Sequence, residues 1–199
     1  MPRRVLLTAL TAGAFAMIAL AGYWTVCASF VRMPGSVLPD LSSYPWWTAA
    51  PAVVMGALIS PLCEQAGLFG YWQAALEHEF ASPTAVLLAA MTFAVLPHPP
   101  AEAAAWVKLP FFFFAGLTFS LMARDTQSIV PALVIHVAGL LMFFVFVWPA
   151  DSTRPLIRDV GAGPWLWTHV AQIVIFTALA AWTFRRLHLV TKVAPARGL

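Results

Sequence analysis

The sequence predicts an all-α fold, a polytopic transmembrane bundle of about six helices, and three observations carry that expectation. Hydrophobic residues make up 61% of the 199 residues and charged residues only 10%. Mean hydropathy is +0.83, well outside the balance of a soluble domain. Segments 5–31, 41–63, 126–150 and 160–184 contain no Asp, Glu, Lys or Arg, and a helix needs about 20 mainly apolar residues to cross the hydrocarbon core. The whole chain, 1–199, reads as a single integral membrane domain with no room for a soluble module.

The first run follows Arg3 and Arg4 and contains Ala19-Leu20-Ala21, which has the look of a signal-peptidase site. It continues through Tyr23 and Trp24 to Val31, longer than a signal peptide requires, so an uncleaved first helix is expected. The second run is 41–63. Shorter candidates follow at 80–97 and 103–123, where Lys108 near one end can snorkel to the interface. The fifth and sixth runs are 126–150 and 160–184.

Six crossings put Arg3, Arg4, Arg124, Arg185, Arg186, Lys192 and Arg197 on one side and Arg32, Lys108, Arg154 and Arg158 on the other. The positive-inside rule then places both termini in the cytoplasm, in a cell (inner) membrane. The net charge of +3 is explained by basic tails at the inner leaflet and needs no nucleic-acid partner. Cys27 and Cys63 both fall within predicted helices, so no disulfide framework is implied.

Among the ionisable residues in or at the ends of the apolar runs, three stand out: Glu64, His98 and His136. A charge at the bilayer centre costs roughly 2.5–3.5 kcal/mol on insertion scales, so such residues usually face a bundle interior and carry function. Polar residues from Glu77 to Pro83 mark a turn near Ala81. Glu64 is 17 residues before that point and His98 17 after; at about 1.5 Å rise per residue the two become level across an antiparallel hairpin. His136 follows Pro131, which suits the first turn of the fifth helix. The three groups can thus converge at one depth.

Cys63-Glu64-Gln65-Ala66-Gly67-Leu68-Phe69-Gly70 resembles the first motif, E-E-x-x-x-R, of the CPBP intramembrane proteases, the family of type II CAAX prenyl endopeptidases and bacteriocin-processing proteins. Phe93 to His98 is similar to its second motif, F-x-x-x-H, with Phe93 one position early. Thr126 to His136 resembles the third region, S-I-x-P-A followed by His. The resemblance covers about 61–148. There are departures: the second Glu is Gln65, the Arg position is Phe69, and the family's Asn four residues after the last His is Leu140, in a chain with no Asn at all.

The resemblance implies an intramembrane endopeptidase of the glutamic type that hydrolyses a peptide bond of a membrane-anchored or lipidated protein. In it Glu64 is the general base for water, His98 holds or polarises that water, and His136 donates to the oxyanion. Losing the Asn removes one oxyanion donor, worth about 2.7–4 kcal/mol where tested. Glu with two His is also a zinc-type ligand set. No short spacing such as H-E-x-x-H supports it here, so no cofactor is expected and the metal-free mechanism is favoured.

Other expectations are structural. His169 and His188 read as interfacial; Glu77, His78 and Glu79 as a solvated helix end; Phe111 to Phe114 and the scattered Trp residues as lipid-facing bulk and interfacial anchors. Gly67, Gly70, Gly116 and Gly139 read as close-packing positions. Competing functions are a catalytically inactive relative that binds or escorts membrane proteins, for which Gln65, Phe69 and Leu140 argue, and a membrane protein holding haem between His98 and His136. The haem reading leaves Glu64 unexplained. A transporter finds little support, since no repeat is visible.

Overall fold

The computed structural model describes residues 1–31, 44–96, 105–147 and 154–193. It is a polytopic all-α bundle, with no strand among the described residues. The helices are α1 (Arg3–Phe30), α2 (Trp46–Glu64), α3 (Gln73–Glu79), α4 (Ser82–Val95), α5 (Ala105–Thr126), α6 (Val130–Met142), α7 (Ile157–Val160) and α8 (Pro164–Val193). A π-helical stretch, Gln65–Trp72, joins α2 to α3 into one span, and a second, Phe143–Val147, extends α6.

Five of the resulting segments are long and apolar enough to cross a membrane. The expected sixth corresponds to α4, which has 14 described residues, about 21 Å of rise against a core of roughly 30 Å. Large apolar side chains such as Leu58, Ile59, Val174 and Trp182 are exposed on the outer faces, as a surface solvated by lipid tails permits.

Local chemistry sets the boundaries. The hairpin between α3 and α4 turns at Phe80 and Ala81, where the sequence places it, and Pro83 sits in the first turn of α4. Trp72 on one arm donates its indole N–H to the Thr92 hydroxyl on the other at 3.3 Å, which fixes the hairpin's register. Between α5 and α6 the chain reverses through Gln127, at φ 51°. Ser128 Oγ accepts from the Val130 amide at 3.2 Å, and Pro131 occupies the opening turn of α6. Each device satisfies or removes an amide that has no partner inside the helix.

Packing follows small residues. The most extensive helix contact is between α1 and α8, where Gly22 lies against Gln172 and Ile173. Gln172 Nε2 donates to the Ile18 carbonyl at 2.7 Å. Another face of α1 meets α5 and α6: a Cβ on Gly13 would stand 2.8 Å from Ile135 Cγ1 and 3.0 Å from Met122 Sδ. Between α4 and α5, Gly116 admits Phe93, whose Cβ lies 3.0 Å from where a side chain would begin. Among the glycines singled out in the sequence, Gly116 is the close approach; Gly67 has open space around it.

Three other expectations are corrected. Phe111 packs edge-on against Trp24 at 5.1 Å and Phe112 against Phe93 at 6.3 Å, so half of the Phe111–Phe114 run faces inward while Phe114 stays exposed. Trp24 is itself a core residue. Glu77 is not simply solvated: it accepts from Gln73 Nε2 at 3.0 Å, inside a polar clip in which the Ser120 hydroxyl donates to Gln73 Oε1 at 2.7 Å. A buried amide and hydroxyl satisfying one another tie α3 to α5, and they could not be left unpaired at such depth without penalty. The free thiols of Cys27 and Cys63 lie on α1 and α2, in keeping with the absence of a predicted disulfide framework.

Candidate active site

Glu64 is the last residue of α2, at the junction with the π-helical stretch. Pro61 lies one turn earlier and is buried. Proline has no amide to return to the carbonyl of residue 57, so the helix is already released from regular pairing just before it widens. Ser60, one helical turn before Glu64, donates its hydroxyl to Glu64 Oε1 at 2.6 Å. This short bond fixes one carboxyl oxygen. The other oxygen, Oε2, stands 3.7 Å from His136 Nε2. Both side chains are largely sheltered, 18% exposed for Glu64 and 10% for His136.

His136 sits one and a half turns into α6 because Ser128 and Pro131 start that helix where they do. Its imidazole lies in an aromatic slot. Phe119 of α5 stacks on it, with centroids 4.5 Å apart and planes at 24°. Phe93 of α4 presents an edge at 5.8 Å. Phe69, in the π-helical stretch, packs against both phenylalanines at 5.6 and 5.9 Å. The position where the resembled family carries Arg is thus filled by a ring that completes an apolar wall, and Phe69 is buried.

Gln65 is fully buried on the far side of the imidazole, with Nε2 3.3 Å from His136 Nδ1. Its Oε1 is buried with no hydrogen-bond partner among the described residues. The two departures from the first motif, Gln65 and Phe69, are therefore both interior and both neutral. One touches the imidazole directly and the other backs the rings that hold it. Leu140 lies one turn beyond His136 on α6, half-buried.

Of the three sequence-derived site residues, Glu64 and His136 come together; His98 lies outside the described residues, with Pro97 before it. Sequence reading did not single out Ser60, although its i−4 spacing from Glu64 on a helix is a usable signal. It also missed Phe119, whose approach to His136 depends on how α5 packs on α6 and leaves no mark in local spacing. As chemistry, the arrangement offers a carboxylate with one oxygen tethered and the other facing an imidazole, in surroundings that exclude most water. Such a pair can take a proton from a water molecule and return one to a developing anion. No group of three His, Cys, Asp or Glu side chains is placed to hold a metal among the described residues; Glu64 and His136 are two of the three residues of the zinc-type set, and the third, His98, lies outside the described residues.

The family model described as type II CAAX prenyl endopeptidase Rce1-like matches residues 45–142, just under half of the chain. The match runs from the start of α2 to the end of α6 and includes every site residue described above. No curated protein and no solved structure matches the chain.

Proposed function

We propose that this integral membrane protein, whose residues 45–142 belong to the CPBP family of Rce1-like proteins, is an intramembrane endopeptidase that cuts a membrane-anchored or lipidated protein substrate. The observation that carries the reading is the Glu64–His136 pair, 3.7 Å apart in the bundle interior and falling on two of the three motif positions tied to chemistry. Ionisable side chains within membrane-spanning segments are rare and usually carry function. In this reading Glu64 Oε2 takes the proton of the attacking water while Ser60 holds Oε1 in place. His136 donates to the oxyanion on the scissile carbonyl, and His98 holds the water. The carbonyl carbon becomes tetrahedral; the proton on Glu64 then passes to the leaving amine, and the carboxylate is restored.

Both termini face the cytoplasm in this proposal, and the mechanism is metal-free. The test compares protein termini in membranes of the native host carrying wild-type protein or Glu64→Gln at matched levels. Loss of a small set of processed termini in the variant supports a protease and identifies its substrates. Unchanged termini, in a host where deleting the protein has a phenotype, overturn it in favour of an escort role. Activity that survives a strong zinc chelator supports the metal-free form; activity lost to the chelator and restored by zinc overturns it.

A further inference from the structure

The geometry points to Gln65 as a positioning residue that fixes the tautomer of His136, placing the imidazole proton on Nε2 and directing it towards Glu64. This deepens the proposed function, since its use in catalysis rests on His136 acting as a donor; the tautomer itself rests only on the packing.

A neutral imidazole has one donor nitrogen and one acceptor nitrogen, and the bond made by one decides the state of the other. The group facing Nδ1 at 3.3 Å is the Gln65 amide nitrogen, which can only donate. Nδ1 therefore accepts, and the proton resides on Nε2. Turning the amide over would put Oε1 on Nδ1–H and bury the NH2 group where Oε1 now has no partner. That exchanges an unsatisfied carbonyl for one more unsatisfied N–H donor, and buried orphan donors are the rarer and less tolerated case. Flipping the ring by 180° would keep it in the same aromatic slot but turn ring carbons towards Gln65 Nε2 and Glu64 Oε2, losing both polar contacts.

Gln65 thus determines what His136 can do. An imidazole protonated on Nε2 stabilises negative charge on an oxygen beside Glu64. An imidazole protonated on Nδ1 has a bare Nε2, suited to accepting a proton or binding a metal. An ionised Glu at this position, where the resembled motif has Glu, can only accept from Nδ1–H and would give the opposite state. The neutral amide keeps His136 a donor, in a chain whose Leu140 stands where another donor is expected.

The tautomer is read directly by nitrogen NMR of ring-labelled histidines in the intact protein in micelles. The His136 signals are assigned by their loss in His136→Gln or, should that variant not fold, in a variant retaining His136 as its only histidine. In wild type at neutral pH, Nδ1 is expected to show the bare-nitrogen signal, with Nε2–H favoured by about tenfold, the ratio an ordinary hydrogen bond supplies. In Gln65→Glu, Nδ1 is expected to become protonated; in Gln65→Met, the ratio should fall to that of free imidazole. A wild-type His136 protonated on Nδ1, or the same strong Nε2–H preference in Gln65→Met, overturns the inference. The outcome is independent of turnover: unchanged termini with Glu64→Gln would remove the protease and leave the tautomer standing, whereas Nδ1–H in wild type would do the reverse.

Discussion

The imidazole of His136 lies almost flat on the ring of Phe119, with 4.5 Å between centroids and 24° between planes. The stack joins α6 to α5, so the aim of His136 depends on a residue that has no polar chemistry of its own. Phe119→Leu keeps most of the buried volume, and the expected stability cost is less than about 1.5 kcal/mol. Activity should suffer more, by up to about 100-fold, because small misplacements of a reacting group are costly. Paired unfolding titrations and cleavage assays on the purified variant check this. Equal losses in both would mean that the stack is only packing.

Glu64→Gln preserves shape and can keep a hydrogen bond with Ser60, whose hydroxyl lies 2.6 Å from Oε1. The expected result is a folded protein with turnover reduced by roughly 10²–10⁴-fold, the range for removing a general base. Ser60→Ala should slow turnover by about tenfold, the equivalent of a hydrogen bond of roughly 1.4 kcal/mol. Single-turnover cleavage rates distinguish the two.

Gly13→Ala should destabilise by about 1–3 kcal/mol, because the new methyl meets Ile135 Cγ1 at 2.8 Å and the core is already filled. Gly56→Ala is the control: a Cβ there meets nothing within 4 Å, and alanine should stabilise the helix by up to about 1 kcal/mol. Unfolding titrations in mixed micelles read both.

Ser120→Ala leaves Gln73 Oε1 without its 2.7 Å donor and should cost about 1–3 kcal/mol. Adding Gln73→Met removes the stranded acceptor as well, so the double variant should be less destabilised than the sum of the singles, by roughly 0.5–3 kcal/mol. Strict additivity would show that the two groups do not act as a pair.

What was legible in the sequence is what depends on local order. Apolar runs gave the bundle, the polar stretch from Glu77 gave the α3–α4 turn, and Pro131 gave the opening turn of α6. Hairpin register and the start of the predicted fifth helix imply that Glu64, His98 and His136 can converge; Glu64 and His136 stand 3.7 Å apart, and His98 lies outside the described residues. Less legible was anything decided by which helix lies beside which. Phe111, Phe112 and Trp24 have the composition of lipid-facing residues, yet their rings meet core partners, because in a membrane both the interior and the surroundings are apolar. Hydrophobicity loses its power to tell inside from outside there. Glu77 was misread for the related reason that its partner Gln73 is one helical turn away, pointing inward.

The union of α1 with α8 bears on how the protein is made. These helices flank the matched segment and come from opposite ends of the sequence, yet they form the largest helix contact in the bundle. A ribosome releases α1 long before α8, from residue 30 to residue 164. In that interval the face of α1 that carries Gly22 has only lipid, or a membrane chaperone, against it. The Gln172 amide enters the bilayer with its eventual acceptor, the Ile18 carbonyl, already in place. Closure of the bundle is therefore a late step of biogenesis, and early termination of translation should leave an inserted but open intermediate exposed to quality-control proteolysis.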